Sequence, residues 1–249
     1  VLASGCPTKN LVRLGGGSLK ALVVLLVMGL SALATLRGAP GLLRVQWLDP
    51  VTVGVASGPF IGQWLSALGA WPASVGFLVA SLLFALPMLV WVFMGRGFIQ
   101  KNNVLAGGGI GLVLLGTWWV SGVLGFVPEH PETLESVFVS TASARMEGLS
   151  FTGPVAQWLD AFAYLADGRK RITLGMALVP GVVLGAALGA WRAREFRWEG
   201  FTRTADLARH LVGAVLMGFG GVSAMGCTFG QGLTGLSTLN WGSGVAVLA

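Results

Sequence analysis

Four stretches of the sequence contain no Asp, Glu, Lys or Arg, and they limit the fold more than any other feature. They are residues 50–95, 102–128, 172–191 and 210–249. A helix needs about 20 apolar residues to cross the hydrocarbon core of a bilayer, so each stretch has room for one or two spans. Only 10% of the 249 residues are charged, whereas soluble domains carry about a quarter. We therefore predict an all-α, multi-pass membrane protein.

The apolar runs predict where the spans lie. Residues 19–36, 73–94, 104–127 and 172–191 each form one run of membrane-crossing length. Residues 51–70 are interrupted by glycines and a proline, which predicts a broken or re-entrant helix. Residues 137–165 predict a short helix, a turn at residues 151–154 and then an amphipathic helix. Residues 211–225 predict a short helix that breaks inside the membrane.

The basic residues lie in short clusters between the apolar runs. The net charge is +6, but no continuous basic stripe exists, so we expect no nucleic-acid partner. Lysines and arginines at span ends contact lipid headgroups and mark the cytoplasmic side, where we place Lys9, Arg13 and Lys20. The acidic segment around His130 is expected outside. The sequence has no Walker, dinucleotide or zinc spacing, so we expect no enzyme, no cofactor and no metal.

The two cysteines stand in similar segments at opposite ends of the chain. Each segment begins with Gly-Cys, continues with small or polar residues and two leucines, and leads through a glycine and serine patch into an apolar run. Matched elements at opposite ends of an apolar chain are typical of transporters built from inverted repeats. The predicted substrate-binding residues are Cys6, Cys227, Gly5, Pro7, Thr8, Gly226, Thr228 and Gly230.

These segments predict one transmembrane domain over residues 1–249, with residues 1–128 in the first repeat and residues 137–249 in the second. The chain begins at Val1 and ends inside an apolar run, so we expect a longer protein at both ends. The binding site is expected where broken helices from the two repeats meet.

The residue types in the Gly-Cys segments suit a small anion. Glycine allows close backbone approach, and a broken helix leaves its first N–H groups without intrahelical partners. Those donors and the positive helix end attract anions. A cysteine placed there offers a thiolate or a strong S–H donor. A sulfur oxyanion, with thiosulfate first, would be held by N–H groups at one end and by a thiol at the other.

Other interpretations of the cysteines remain open. Cysteine is often a buried apolar packing residue, and Cys6 and Cys227 could also form a disulfide. In a further alternative, the thiols form persulfides and pass sulfur to an acceptor, which would make the protein a membrane sulfurtransferase. A purely structural subunit is disfavoured, because glycine-broken helices are costly unless they line a cavity.

Three segments resemble the YeeE/YedE sulfur-transport family. They are SGCPTKNLVRLGGGSLK at residues 4–20, GLSFTGP at residues 148–154 and GCTFGQGLTG at residues 226–235. The resemblance implies a pseudo-symmetric helical protein of the bacterial inner membrane that imports thiosulfate, with Cys6 and Cys227 contacting the substrate in turn. It also implies a cytoplasmic sulfurtransferase as a partner. Other members of the family are linked to other sulfur or selenium species, so a selenium species is an alternative substrate.

Overall fold

A computed structural model describes residues 3–51, 58–95, 97, 99–129, 136–164 and 172–248 of the chain. His130 and most of the predicted acidic segment around it lie outside the described residues. Part of the predicted broken helix at residues 51–70 also lies outside them, and its second half forms a short helix. Among the described residues, the chain is mostly helical and has two short strands.

The helices are labelled in chain order. They are α1 (Pro7–Gly15), α2 (Leu19–Arg37), α3 (Ala39–Leu43), α4 (Ile61–Gly69), α5 (Ala73–Met94), α6 (Lys101–Trp119), α7 (Thr152–Ala163), α8 (Leu174–Arg192), α9 (Thr204–Ser223) and α10 (Trp241–Leu248). Wider π-helical turns occur at Arg44–Leu48, Val120–Leu124 and Gly230–Gly235. The strands β1 (Phe126–Val127) and β2 (Val137–Phe138) pair in an antiparallel ladder.

Four of the described helical segments are long and apolar enough to cross a membrane. They are α2, α5, α8, and α6 together with the π-helical turn that follows it, and they contain 19 to 24 residues. Since each helical residue adds about 1.5 Å, these segments match a hydrocarbon core roughly 30 Å thick. The prediction of an all-α, multi-pass membrane protein is confirmed, and the four predicted spans fall on these helices.

The helices α5 and α6 expose most of their apolar side chains. Gly76 and Ala80 are the buried residues of α5, whereas Leu89, Trp91 and Phe93 on the same helix are more than half exposed. A contiguous apolar surface of this size requires an apolar neighbour, and in a membrane protein lipid chains supply it. Both helices therefore present a large apolar surface away from the packed core, as membrane spans do.

The helix α2 lies at the centre of the packed core, between α1, α7 and α9. Gly218 of α9 lies so close to α2 that an added Cβ would meet the carbonyl oxygen of Met28 and lie 2.7 Å from the Cβ of Ser31. The hydroxyl of Ser31 donates to the carbonyl of Val215 at 2.8 Å. Because α2 follows the Cys6 segment and α9 precedes the Cys227 segment, this close packing brings the two ends of the chain together.

Two isolated backbone bridges fasten the turns that follow the Gly-Cys segments. Ser18, between α1 and α2, pairs with Glu199 in the loop before α9. Asn240, just before α10, pairs with Phe60, just before α4. Each turn is thus fixed to the segment that precedes another helix. The two turns are similar locally, while inverted repeats and their boundaries stay a prediction.

The prediction for residues 137–165 is wrong in two places. The chain from residue 137 begins with β2 and then continues irregularly, instead of forming a short helix. Residues 151–154, predicted as a turn, contain the first turn of α7. Pro154 fits there because the first N–H groups of a helix have no intrahelical acceptor, so its missing N–H removes no helical hydrogen bond.

Two other predicted boundaries are wrong. The helix predicted at residues 211–225 begins earlier, at Thr204, and its first turns contain Asp206. That carboxylate lies 3.4 Å from Nζ of Lys20, so the charged turn is balanced by an ion pair on α2. The span predicted to reach residue 127 leaves the helical path after Leu124, where the chain turns into β1.

Candidate functional site

The two Gly-Cys segments adopt the same local backbone arrangement. Cys6 directly precedes α1, and Cys227 directly precedes a helical segment over residues 228–237. The carbonyl of each cysteine accepts the N–H of the residue four positions later, at 3.1 Å for Cys6 and 2.8 Å for Cys227. Two residues before each cysteine, Ser4 and Met225 have positive φ values of 57° and 54°. The chain thus turns sharply just before each thiol.

A side-chain amide holds each of these turns. Asn10, four residues after Cys6, donates from Nδ2 to the carbonyl of Ala3 at 3.3 Å. Gln231, four residues after Cys227, donates from Nε2 to the carbonyl of Ala224 at 2.5 Å. The acceptor in both cases lies three residues before the cysteine. The amides therefore fix both cysteine loops in the same way.

Cys227 also caps the helical segment that it precedes. The N–H of Gly230 donates to Sγ of Cys227 at 3.4 Å, so the sulfur acts as an acceptor inside the segment. The same segment continues as the π-helical turn Gly230–Gly235, a wider geometry that occurs often at functional sites. With the sulfur lone pair engaged by the backbone, the S–H group can donate to a ligand.

Both cysteines line one cavity of about 350 Å³. The remaining wall comes from the C-terminal half of α9, from α10 and from the first residue of α7. This volume lies at the lower end of the range for small-molecule sites, which is roughly 300 to 1,000 Å³. A cavity of this size has room for a small anion and a few waters.

The structure brings five of the eight predicted site residues to this cavity. They are Cys6, Pro7, Gly226, Cys227 and Thr228.

Gly5, Thr8 and Gly230 are not among its lining residues. Gly5 has a φ of 132°, a value suited to glycine, and so it shapes the turn before Cys6. Thr8 is buried within α1, and Gly230 acts through its N–H bond to Cys227.

The cysteines are free thiols, so the disulfide alternative is wrong for this structure. Cys227 is 5% exposed, and Cys6 is half-buried. None of the described residues on the cavity wall is charged. Three helical segments begin at residues on that wall, namely Pro7, Thr152 and Thr228. A helix N-terminus carries a partial positive charge, so three such ends on one wall favour an anion over a cation.

The segment at residues 148–154 packs directly on the Cys227 segment. The hydroxyl of Thr234 donates to the carbonyl of Leu149 at 3.1 Å, and the rings of Phe151 and Phe229 meet edge to face at 6.1 Å. The three segments that carry the family resemblance thus meet around one cavity. Thr152 was not predicted as a site residue, because its position on the wall depends on this long-range packing.

A buried histidine is bonded to the turn before Cys6. Nε2 of His210 lies 2.6 Å from the hydroxyl of Ser4, and Nδ1 lies 2.7 Å from the carbonyl of Asp206. A carbonyl only accepts, so Nδ1 carries the proton and, in the neutral ring, Nε2 accepts from Ser4. This link fixes the Cys6 turn to α9. Sequence reasoning missed it, because the two residues are far apart in the chain.

Comparisons with known proteins show the family of the chain. The sulphur transport family matches residues 1–249. The thiosulfate transporter TsuA of Escherichia coli (strain K12) is 32% identical over 253 residues, which cover 97% of this chain and 65% of that protein. The thiosulfate transporter TsuA of Spirochaeta thermophila is 29% identical over 268 residues, which cover 99% and 69%. The chain thus spans about two thirds of the length of these relatives. By the match over its whole length, the chain belongs to the sulphur transport family.

Proposed function

We propose that the chain is the transport domain of a bacterial inner-membrane protein that takes up thiosulfate or a related small sulfur-containing anion. The observation that carries the proposal is that Cys6 and Cys227, from opposite ends of the chain, line the same small cavity. The names of the two relatives supply the substrate, and the uncharged cavity with helix N-termini on its wall suits an anion.

The mechanism that we propose is a relay between the two thiols without a lasting covalent bond. Each cysteine lies at the start of a helical segment, where N–H groups stabilise negative charge. Sulfur is soft and polarizable, so a thiol suits the terminal sulfur of thiosulfate better than a hydroxyl does. The anion would exchange S–H contacts with Cys6 and Cys227 as it moves along the cavity.

The distribution of basic residues supports an orientation in the membrane. Lys20 lies just after the turn between α1 and α2, and Arg192, Arg194 and Arg197 lie at the end of α8 and in the loop that the turn contacts. Basic loops remain on the cytoplasmic side. We therefore assign this face to the cytoplasm, where a sulfurtransferase partner would collect the imported sulfur.

Uptake into proteoliposomes tests the proposed substrate. We expect the protein to accumulate radiolabelled thiosulfate in preference to sulfite, sulfate, sulfide and selenite. Cys6→Ala and Cys227→Ala should each lower the initial rate by about tenfold, the scale of one lost hydrogen bond to a charged group. Ser81→Ala, which changes an exposed serine of α5 outside the cavity, serves as the control. Wild-type rates in both cysteine variants would disprove the relay.

Mass spectrometry during uptake separates transport from the sulfurtransferase alternative. In a transfer reaction, a cysteine thiolate would attack the outer sulfur of thiosulfate, break its S–S bond, release sulfite and keep one extra sulfur atom as a persulfide, whereas a relay of S–H contacts leaves both thiols unmodified. We expect Cys6 and Cys227 to keep their masses while thiosulfate accumulates. A persulfide that forms and disappears at the rate of uptake would favour the sulfurtransferase.

A further inference from the structure

We infer that the N-terminus of α7, with the hydroxyl of Thr152, binds the oxyanion end of the transported anion, an inference that rests on the proposed function. Thr152 lies on the wall of the cavity that both cysteines line. It belongs to neither Gly-Cys segment. Its role follows from three features of the structure, which concern its hydroxyl, the helix opposite it and the backbone of α7.

The hydroxyl of Thr152 is buried and unpaired. The residue is 1% exposed, and its Oγ1 has no hydrogen-bond partner among the described residues. A buried hydroxyl without a partner has given up its bonds to water and gained none, which destabilises the protein. The great majority of buried polar side chains are paired, so an exception on a cavity wall indicates a place for a ligand atom.

The opposite helix packs closely on this hydroxyl. Gly221 of α9 also lines the cavity, and a Cβ added to it would lie 2.9 Å from Oγ1 of Thr152. A larger residue at position 221 would therefore cover the hydroxyl. The absence of a Cβ at position 221 lets α9 pack closely on Thr152, and both residues lie on the wall of the cavity that the thiols share.

The backbone of α7 adds free donors at the same point. Thr152 is the first residue of the helix, and the residue before it, Phe151, provides no side-chain cap. The first N–H groups of a helix have no intrahelical acceptor, and Pro154 has no N–H at all. The free donors are thus those of Thr152 and Gly153. An anion oxygen there would accept from the hydroxyl and the backbone together.

This arrangement gives the cavity two chemically different parts. The oxygens of the anion would lie against α7, and its terminal sulfur would lie against the thiols of Cys6 and Cys227. Sulfide has no oxygen to contact α7, and sulfate has no terminal sulfur to contact the thiols. The inference therefore explains how one small uncharged cavity would select a sulfur oxyanion that carries both.

Two substitutions of Thr152 test the inference, each measured for thermal stability and for thiosulfate uptake. Thr152→Val keeps the shape and removes the hydroxyl, whereas Thr152→Ser keeps the hydroxyl. Without anion, the valine variant should melt at or above the wild-type temperature, because an unpaired buried hydroxyl has been replaced by a methyl group. Its half-saturating thiosulfate concentration should nevertheless rise by about tenfold or more, the scale of a hydrogen bond to a charged group.

The serine variant should stay within about threefold of the wild type, since it keeps the donor. Ser223→Ala is the matched control, because the hydroxyl of Ser223 is also buried without a described partner but does not line the cavity. Its half-saturating concentration should not change.

Three results would overturn the inference. A lower melting temperature of Thr152→Val without anion would show that the hydroxyl has a structural partner. Wild-type affinity in that variant, while the intact protein transports thiosulfate, would refute the role of Thr152 and leave the proposed function intact. No thiosulfate uptake by the intact protein would refute the proposed function and this inference with it.

Discussion

Replacing Asn10 with alanine should loosen the loop that carries Cys6. The side chain of Asn10 is 1% exposed, and its Nδ2 lies 3.2 to 3.3 Å from the carbonyl oxygens of Ala3, Gly5 and Cys6. An amide nitrogen has two hydrogens, so it satisfies about two of these acceptors at a time. Each neutral bond contributes about 1 kcal/mol. The loss should therefore destabilise the closed loop by about 2 kcal/mol, or roughly thirtyfold in its opening equilibrium.

The alkylation rate of Cys6 measures this opening directly. In a Cys227→Ser background, a membrane-permeant maleimide should label Cys6 about thirtyfold faster after Asn10→Ala, provided that loop opening precedes reaction. Asn103→Ala is the matched control, because Asn103 is exposed and its amide donates to a backbone carbonyl at 3.4 Å. A labelling rate within about twofold of the unmodified protein would refute the idea that Asn10 holds the loop.

Two further predictions follow from the packing around the cavity. Gln231→Leu should destabilise the Cys227 loop by about 2 kcal/mol, because it removes one hydrogen bond to the loop and leaves the hydroxyl of Ser243 without its acceptor. The alkylation rate of Cys227 should rise accordingly. Gly218→Ala should lower stability in detergent by about 1 to 3 kcal/mol, because the new Cβ meets the backbone of α2. Gly185→Ala on α8 meets nothing within 4 Å and should be neutral or stabilising in the same melting experiment.

The positions of the spans could be predicted from the sequence because bilayer thickness sets the length of an apolar helix. The prediction at residues 73–94 coincides with α5, since both ends are marked by residues that stop an apolar run. The start of α9 was missed because its first turn is charged, and the ion pair between Asp206 and Lys20 joins residues that are distant in sequence. The amino-acid composition of a short segment does not reveal ion pairs between residues that are distant in sequence.

The part of the site that could be predicted from the sequence is the part that occurs twice in the chain. The two Gly-Cys segments identified both cysteines, and the cavity contains both. The amides of Asn10 and Gln231 stand at the same distance from their cysteines, so a closer comparison of the segments could have found them. Thr152 offered no such signal, because an unpaired hydroxyl is a property of packing in three dimensions.

The absence of charge on the described cavity wall has a consequence for transport. A buried arginine would hold an anion strongly, with a desolvated and hydrogen-bonded ion pair that is slow to break. A helix N-terminus carries only about half an elementary charge, and this partial charge is located on backbone atoms that do not move. A transport path needs contacts that admit the ion and also release it. In the proposed transport path, partial charges at Pro7, Thr152 and Thr228, together with the two thiols, would meet both requirements, so helix N-termini would take the place of charged side chains in this cavity.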